Sequence, residues 1–228
     1  MEYAIALFAQ FLAVMVVITL HEFAHAFVAY KCGDPTAKFS GRMTLNPVKH
    51  FDPIGIVMFA LVGFGWAKPV PVNPRNFNNY RTGAFWTSAA GIIVNYLTAF
   101  LFFPLFVLTI AYLVPMFEGK YLAQFLYSFT SALYVFSLSF CVFNLLPFYP
   151  LDGFRIVDAL NRRRGNVYRF LRQYGYYILL ALVLVSFLAD RIAILRYIDV
   201  LSYVMRFAVN IFGKPITLFW EWIFAFIS

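Results

Sequence analysis

The sequence predicts an all-α polytopic membrane protein, a bundle of about four to six transmembrane helices with a short re-entrant or strand-containing segment near the cytoplasmic face. Three observations carry this. Of 228 residues, 63% are apolar and 12% are charged, about half the near-25% charged share of an average soluble domain. The apolar stretches run to about 20 residues or more, enough to cross a hydrocarbon core of roughly 30 Å. Clusters of Lys and Arg separate alternate stretches, as topology signals do. No repeat, low-complexity tract or soluble module interrupts the pattern, so residues 1–228 read as one membrane domain.

Taken in order, a first span is expected at 3–30. It follows Met1-Glu2-Tyr3 without a basic leader region and runs past signal-peptide length, so it is expected to stay uncleaved. Residues 54–66 are apolar but too short for a full span. With Gly55, Gly63 and Gly65 they suit a re-entrant or interfacial piece whose backbone is covered by protein or water. Spans are expected at 84–114, 121–146 and 174–188, with weaker helices over 192–211 and 215–227. The polar stretches 33–53 and 65–80 offer a wet route inward. Residues 36–45 there suit either an edge strand able to pair with an extended peptide or, slightly better, an amphipathic surface loop.

Charge sets the orientation. Lys31, Lys38, Arg42, Lys49, Lys68, Arg75 and Arg81 fall between the first two full spans, and Arg155, Arg162, Arg163, Arg164, Arg169 and Arg172 follow the third. These segments are expected to face the cytoplasm, and the turn around 115–120, with Lys120 its one cation, the outside. The net charge of +8 is then a topology signal and a contact with anionic lipid. No soluble module carries the charge, which argues against nucleic acid as a partner. Cys32 and Cys141 form no Cys-x-x-Cys pair or disulfide framework and are expected as free thiols.

Inside the first span stands His21-Glu22-Phe23-Ala24-His25. Positions four apart share a helix face, so His21 and His25 can offer two imidazoles to one zinc ion, with Glu22 beside them to hold the attacking water. Ionisable groups at this depth are costly, which favours use over accident. His21 lies ten residues before Lys31, so the metal would sit roughly 15 Å from the cytoplasmic end of its helix.

A catalytic zinc usually takes three protein ligands. The foremost third candidate is Asp152, in Asn144-Leu145-Leu146-Pro147-Phe148-Tyr149-Pro150-Leu151-Asp152-Gly153, because two prolines unwind the chain there on the side reached by His25. A solvated Asp-Gly turn is the competing reading. His50, in a basic loop, is expected to be exposed or headgroup-facing, and Asp52 to be an N-cap ahead of Pro53.

These residues resemble the site-2 proteases, intramembrane zinc metalloproteases, in their compact bacterial and archaeal branch without a PDZ domain. The resemblance covers most of 15–155. Beyond the two motifs above it is supported by Gly33-Asp34-Pro35, by the run from Leu45 through Gly55, and by Gly65-Trp66-Ala67-Lys68-Pro69-Val70-Pro71-Val72-Asn73-Pro74. It implies one zinc per chain held by His21, His25 and Asp152, Glu22 as general base, and Asn144 as a stabiliser of the oxyanion. It also implies a transmembrane protein as substrate and a prokaryotic cell membrane with the active site toward the cytoplasm. The family's Gly-Pro-x-x-Asn element appears as Gly91-Ile92-Ile93-Val94-Asn95, without the proline, and Asn95 is expected to reach the site.

Two other readings are weighed beside an endopeptidase. A catalytically silent relative that binds membrane helices is disfavoured because every catalytic group is present. A metal-ion transporter would need ligands at several depths, and these share one. A prenyl-protein endopeptidase would complete His-Glu-x-x-His with a distal Glu, where this chain has Leu151-Asp152-Gly153.

Overall fold

The computed structural model describes residues 1–62, 67–117, 119–189 and 191–227. Helices dominate: α1 (Glu2–Lys31), α2 (Thr36–Phe39), α3 (Pro53–Val62), α4 (Tyr80–Leu108), α5 (Val114–Met116), α6 (Lys120–Leu145), α7 (Asp152–Leu160), α8 (Asn166–Ala189) and α9 (Val200–Ile227). Among the described residues there is no strand, only an isolated antiparallel bridge between Phe51 and Ala67. Among the described residues, four helices are long and apolar enough to cross a membrane: α1, Tyr80–Met116, α6 and α8. The protein is therefore an all-α polytopic membrane protein.

Helices α1, α4 and α6 pack against one another around the site. Lipid tails are as apolar as leucine, so close approach rather than hydrophobicity holds such helices, and small residues permit it. Ala9 and Ala13, fully buried on α1, continue at the same four-residue spacing into Val17. Ala13 and Val17 meet Ala132 and Leu133 of α6, and Ala99 of α4 meets Leu138 of α6 and Ile216 of α9. The Trp220 indole N–H, donating to the Phe100 carbonyl at 2.8 Å, fastens α9 to α4.

The ends of the helices agree with the alternation read from charge. Lys120 pairs with Glu2, so α1 and α6 start at one end of the bundle. At the other end Asp158 of α7 accepts hydrogen bonds from Tyr168 of α8 and, at 3.5 Å, from Tyr80 at the start of α4.

Several expectations are revised. The two weaker helices over 192–211 and 215–227 are a short 3-10 turn, Ala193–Ile198, and one long helix, α9, that runs through Pro215. In the stretch 54–66, residues through Val62 form α3, capped by Asp52, whose Oδ1 accepts from the N–H groups of Ile54 and Gly55 at 2.9 and 3.1 Å. Residues 63–66 lie outside the described residues. The stretch 36–45, which suits a surface loop slightly better than an edge strand, is a helical turn followed by loop. His50 is fully buried rather than exposed. Its Nε2 meets the Thr44 carbonyl at 2.7 Å, its own carbonyl accepts from Lys68 N–H, and Arg42 donates across to the Lys68 carbonyl at 2.6 Å. Lacing two loops together requires polar groups between them, and His50 is one. Cys32 and Cys141 are free, as expected.

Candidate metal centre

Three elements build the site. Helix α1 places His21, Glu22 and His25 on consecutive turns, all buried. Pro147 and Pro150 end α6, with Leu146 in the extended backbone region that precedes a proline. The chain turns back and α7 begins at Asp152, where a carboxylate suits the positive end of a helix. The return is tight: a Cβ on Gly153 would lie 2.4 Å from the Leu145 carbonyl oxygen, so only glycine lets α7 start against the end of α6. Asp152-Gly153 is thus a buried helix start, not a solvated turn.

The donor atoms converge. Nε2 of His21 and Nε2 of His25 are 2.9 Å apart, and Oδ2 of Asp152 lies 3.4 and 3.0 Å from them. These residues are the one group of at least three His, Cys, Asp or Glu among the described residues whose ligand atoms gather closely enough to hold a metal. Tetrahedral ligation with bonds of about 2.0–2.1 Å spaces its donors roughly 3.3 Å apart, close to what is seen. Two imidazoles and a carboxylate suit zinc, and Asp152 Oδ2 is a buried oxygen with no hydrogen-bond partner among the described residues. An ion is the partner this arrangement fits.

Helix α4 orients the imidazoles with three residues on one face, Thr87, Gly91 and Asn95. The Thr87 carbonyl meets His25 Nδ1 at 2.6 Å. A carbonyl only accepts, so Nδ1 carries a proton, and in the neutral ring Nε2 then presents its lone pair to the centre. The carbonyl is reachable because Gly91 stands one turn on: a Cβ there would lie 2.5 Å from His25 Nε2 and from His21 Cε1. Asn95, fully buried, meets His21 Nδ1 at 3.0 Å.

Glu22 is held from the other side. Its Oε2 accepts the Val70 N–H at 2.7 Å. Val70 also packs with Ala26 and Ala37, which seats its segment on α1. Beyond it opens a cavity of about 390 Å³ lined in part by Val70, Phe77, Tyr80, Thr87, Arg155 and Asp158.

The fold thus brings His21, Glu22, His25 and Asp152 together, and Asn95 with them. Asn144 is not joined to them by a hydrogen bond: its Nδ2 donates to the Phe140 carbonyl of its own helix at 3.1 Å. Val70 and Thr87 escape a sequence reading because they act through backbone atoms.

The profile of Peptidase family M50 matches residues 107–186, a stretch that holds Asn144 and Asp152. The Bacillus subtilis (strain 168) protein named Putative zinc metalloprotease YwhC is 47% identical over 152 residues, covering 65% of this chain and 67% of its own. The chain belongs to peptidase family M50. A Mycolicibacterium smegmatis protein named Putative zinc metalloprotease Rip2 is 30% identical over 173 residues, 73% of this chain and 63% of that relative. No solved structure matches. The M50 profile match contains Asp152 but not His21, and the fold brings the two motifs together.

Proposed function

We propose that this M50 protein is a zinc-dependent intramembrane endopeptidase that cleaves a transmembrane segment of a membrane protein. The observation that carries the reading is the convergence of His21 Nε2, His25 Nε2 and Asp152 Oδ2 beside a buried carboxylate, Glu22. His21, His25 and Asp152 would hold one zinc per chain. Zinc bound there would act as a Lewis acid, lowering the pKa of water and polarising the peptide carbonyl. Glu22 takes the proton as water attacks and passes it to the leaving nitrogen, the work of a general base and then acid. Val70 fixes one oxygen of that carboxylate and leaves the other for water. Asn144 is the candidate donor to the oxygen that gains charge, a role that requires its amide to leave the Phe140 carbonyl.

The cavity beyond Val70 and Thr87 supports a route for water from the end of the bundle that carries Arg155. By the positive-inside rule that end is the cytoplasmic one, and the relatives from Bacillus subtilis and Mycolicibacterium smegmatis support a prokaryotic cell membrane as the host. The gathering of the candidate ligands at a single depth favours hydrolysis over ion transport.

The test is metal analysis and cleavage of a transmembrane test substrate by purified protein in liposomes. Wild type should hold one zinc. His21→Ala, His25→Ala and Asp152→Ala should lose it, while Glu22→Gln should keep it and cleave nothing. Full zinc in Asp152→Ala, or undiminished cleavage by Glu22→Gln, would overturn the reading.

A further inference from the structure

Each histidine of the centre has its second ring nitrogen engaged by α4, but by different chemistry. His25 Nδ1 faces a carbonyl, which fixes its tautomer. His21 Nδ1 faces the side-chain amide of Asn95, whose Nδ2 stands 3.0 Å away while Oδ1 is buried with no hydrogen-bond partner among the described residues. In that orientation the amide donates to Nδ1, the proton of a neutral ring must sit on Nε2, and Nε2 has no lone pair for an ion. A half-turn of the terminal amide exchanges Oδ1 and Nδ2 without moving the chain, since the two ends have nearly the same shape. Oδ1 then gains the partner it lacks, His21 Nδ1–H becomes the donor, and both Nε2 lone pairs point to the same place as Asp152 Oδ2.

We infer that Asn95 is a positioning residue, accepting the Nδ1 proton of His21 through Oδ1 and so directing the Nε2 lone pair to the metal. The inference rests on the zinc reading above. Asn95 touches no reacting atom. Its hold is structural on the far side as well, because the Asn95 carbonyl accepts from Thr98 Oγ and the helix there packs through Ala99 against α6. Gly91 and Asn95, one turn apart, thereby serve one end: glycine admits the rings and asparagine turns the first of them.

The test is zinc affinity by competition with a chromophoric chelator, on purified wild type, Asn95→Leu and Asn95→Asp. Loss of a partner behind a ligating histidine typically weakens metal binding by roughly 10- to 100-fold, and Asn95→Leu should fall in that range. Asn95→Asp keeps an acceptor and should bind at least as tightly as wild type. Equal affinity in Asn95→Leu, or an Asn95→Asp as weak as Asn95→Leu, would overturn the inference. Should Asn95→Leu not fold, ¹⁵N-histidine NMR of zinc-loaded wild type decides it, since the chain has three histidines in all. His21 Nδ1 should show a protonated, pyrrole-type nitrogen whose N–H proton moves downfield in Asn95→Asp while that of His25 stays in place, and an unprotonated Nδ1, or a His21 signal that does not move, would refute the role. A wild type that binds no zinc would instead refute the zinc reading, which separates the two failures.

Discussion

Val70 donates its backbone N–H to Oε2 of Glu22 across 2.7 Å, from a residue flanked by Pro69 and Pro71. Proline has no N–H, so this tripeptide carries a single backbone donor, and it is spent on the carboxylate. A hydrogen bond to a buried charged group is worth about 1.5–3 kcal/mol, and each ~1.4 kcal/mol is tenfold in rate. Val70→Pro, which removes the N–H while keeping an extended backbone accessible, should lower kcat by roughly 10- to 100-fold. Its zinc content should match wild type, and Val70→Ala should stay close to wild type in both respects. Val70→Pro cleaving at the wild-type rate would show that Glu22 does not depend on this contact.

Gly91→Ala tests the steric side of the same site. The new Cβ would meet His25 Nε2 and His21 Cε1 at 2.5 Å and His21 Nδ1 at 2.7 Å, so at least one ring must shift. Metal sites tolerate about 0.2 Å in ligand distances, less than the displacement needed. Zinc affinity should fall by at least about tenfold, on the scale of losing an orienting partner, and cleavage should fall with it. Gly165→Ala, where a Cβ meets nothing within 4 Å, is the control and should behave as wild type. Full zinc binding by Gly91→Ala would mean the rings sit elsewhere when loaded.

Much of the fold was legible because the bilayer imposes a simple code: apolar length marks a span and cations mark one face. The helix that carries His21 and His25, the unwinding after Asn144, and the arrival of Asp152 at the histidines follow from that code and from proline. The loops did not follow, because their stability comes from contacts between stretches far apart in sequence. His50 looked like one more polar group in a basic loop, and only the pairing of 42–50 with 67–68 shows why it is buried. Thr87 and Val70 were illegible for another reason, since a carbonyl or an N–H is common to every residue. Their available signals are indirect: Thr87 stands four before Gly91 and eight before Asn95, and Val70 lies between prolines. The long helix α9 was read as two pieces because Pro215 marks a helix boundary more often than a helix interior.

Asp34 ties the turn after α1 to residues 73–76. It is fully buried just past α1, where Oδ1 accepts from Thr36 and from Asn76 Nδ2 at 2.9 Å, and Oδ2 accepts from Asn73 N–H at 2.7 Å. Burial pushes this carboxyl upward, but the donors from Thr36, Asn76 and Asn73 outweigh it and hold it below the usual carboxylate range. A carboxylate whose pKa is depressed on folding adds stability that is fully present above its unfolded value, about 3.9, and is lost as pH falls through the folded value. Thermal midpoints in detergent should therefore be insensitive to Asp34 titration near neutrality and should fall below about pH 4. Asp34→Asn should lower the neutral-pH midpoint, consistent with losing about 1.5–3 kcal/mol of charge-assisted hydrogen bonding, and should show a shallower acid decline. Parallel acid limbs in the two proteins would show that other carboxylates dominate.

The depth of the centre bears on what can be cut. His21 lies ten residues before the end of α1 at Lys31, so the site is roughly 15 Å in from that end. A transmembrane helix arriving there keeps each carbonyl hydrogen-bonded within itself, folded away from an attacking water, and in lipid those bonds are expensive to open. For the proposed transmembrane substrate, cleavage then requires a segment that unwinds cheaply, near the depth of His21 and His25. Test spans carrying Gly, Pro or Asn near the cut should be cleaved faster than versions with Leu at the same places. Glycine alone weakens a helix by about 1 kcal/mol relative to alanine, so a rate gain of roughly fivefold per glycine is expected if unwinding limits the rate. Mass spectrometry should locate the cuts in the half of the span nearer the Arg155 end of the bundle. Equal rates across the series, or cuts in the opposite half, would defeat this account of specificity even where zinc-dependent cleavage holds.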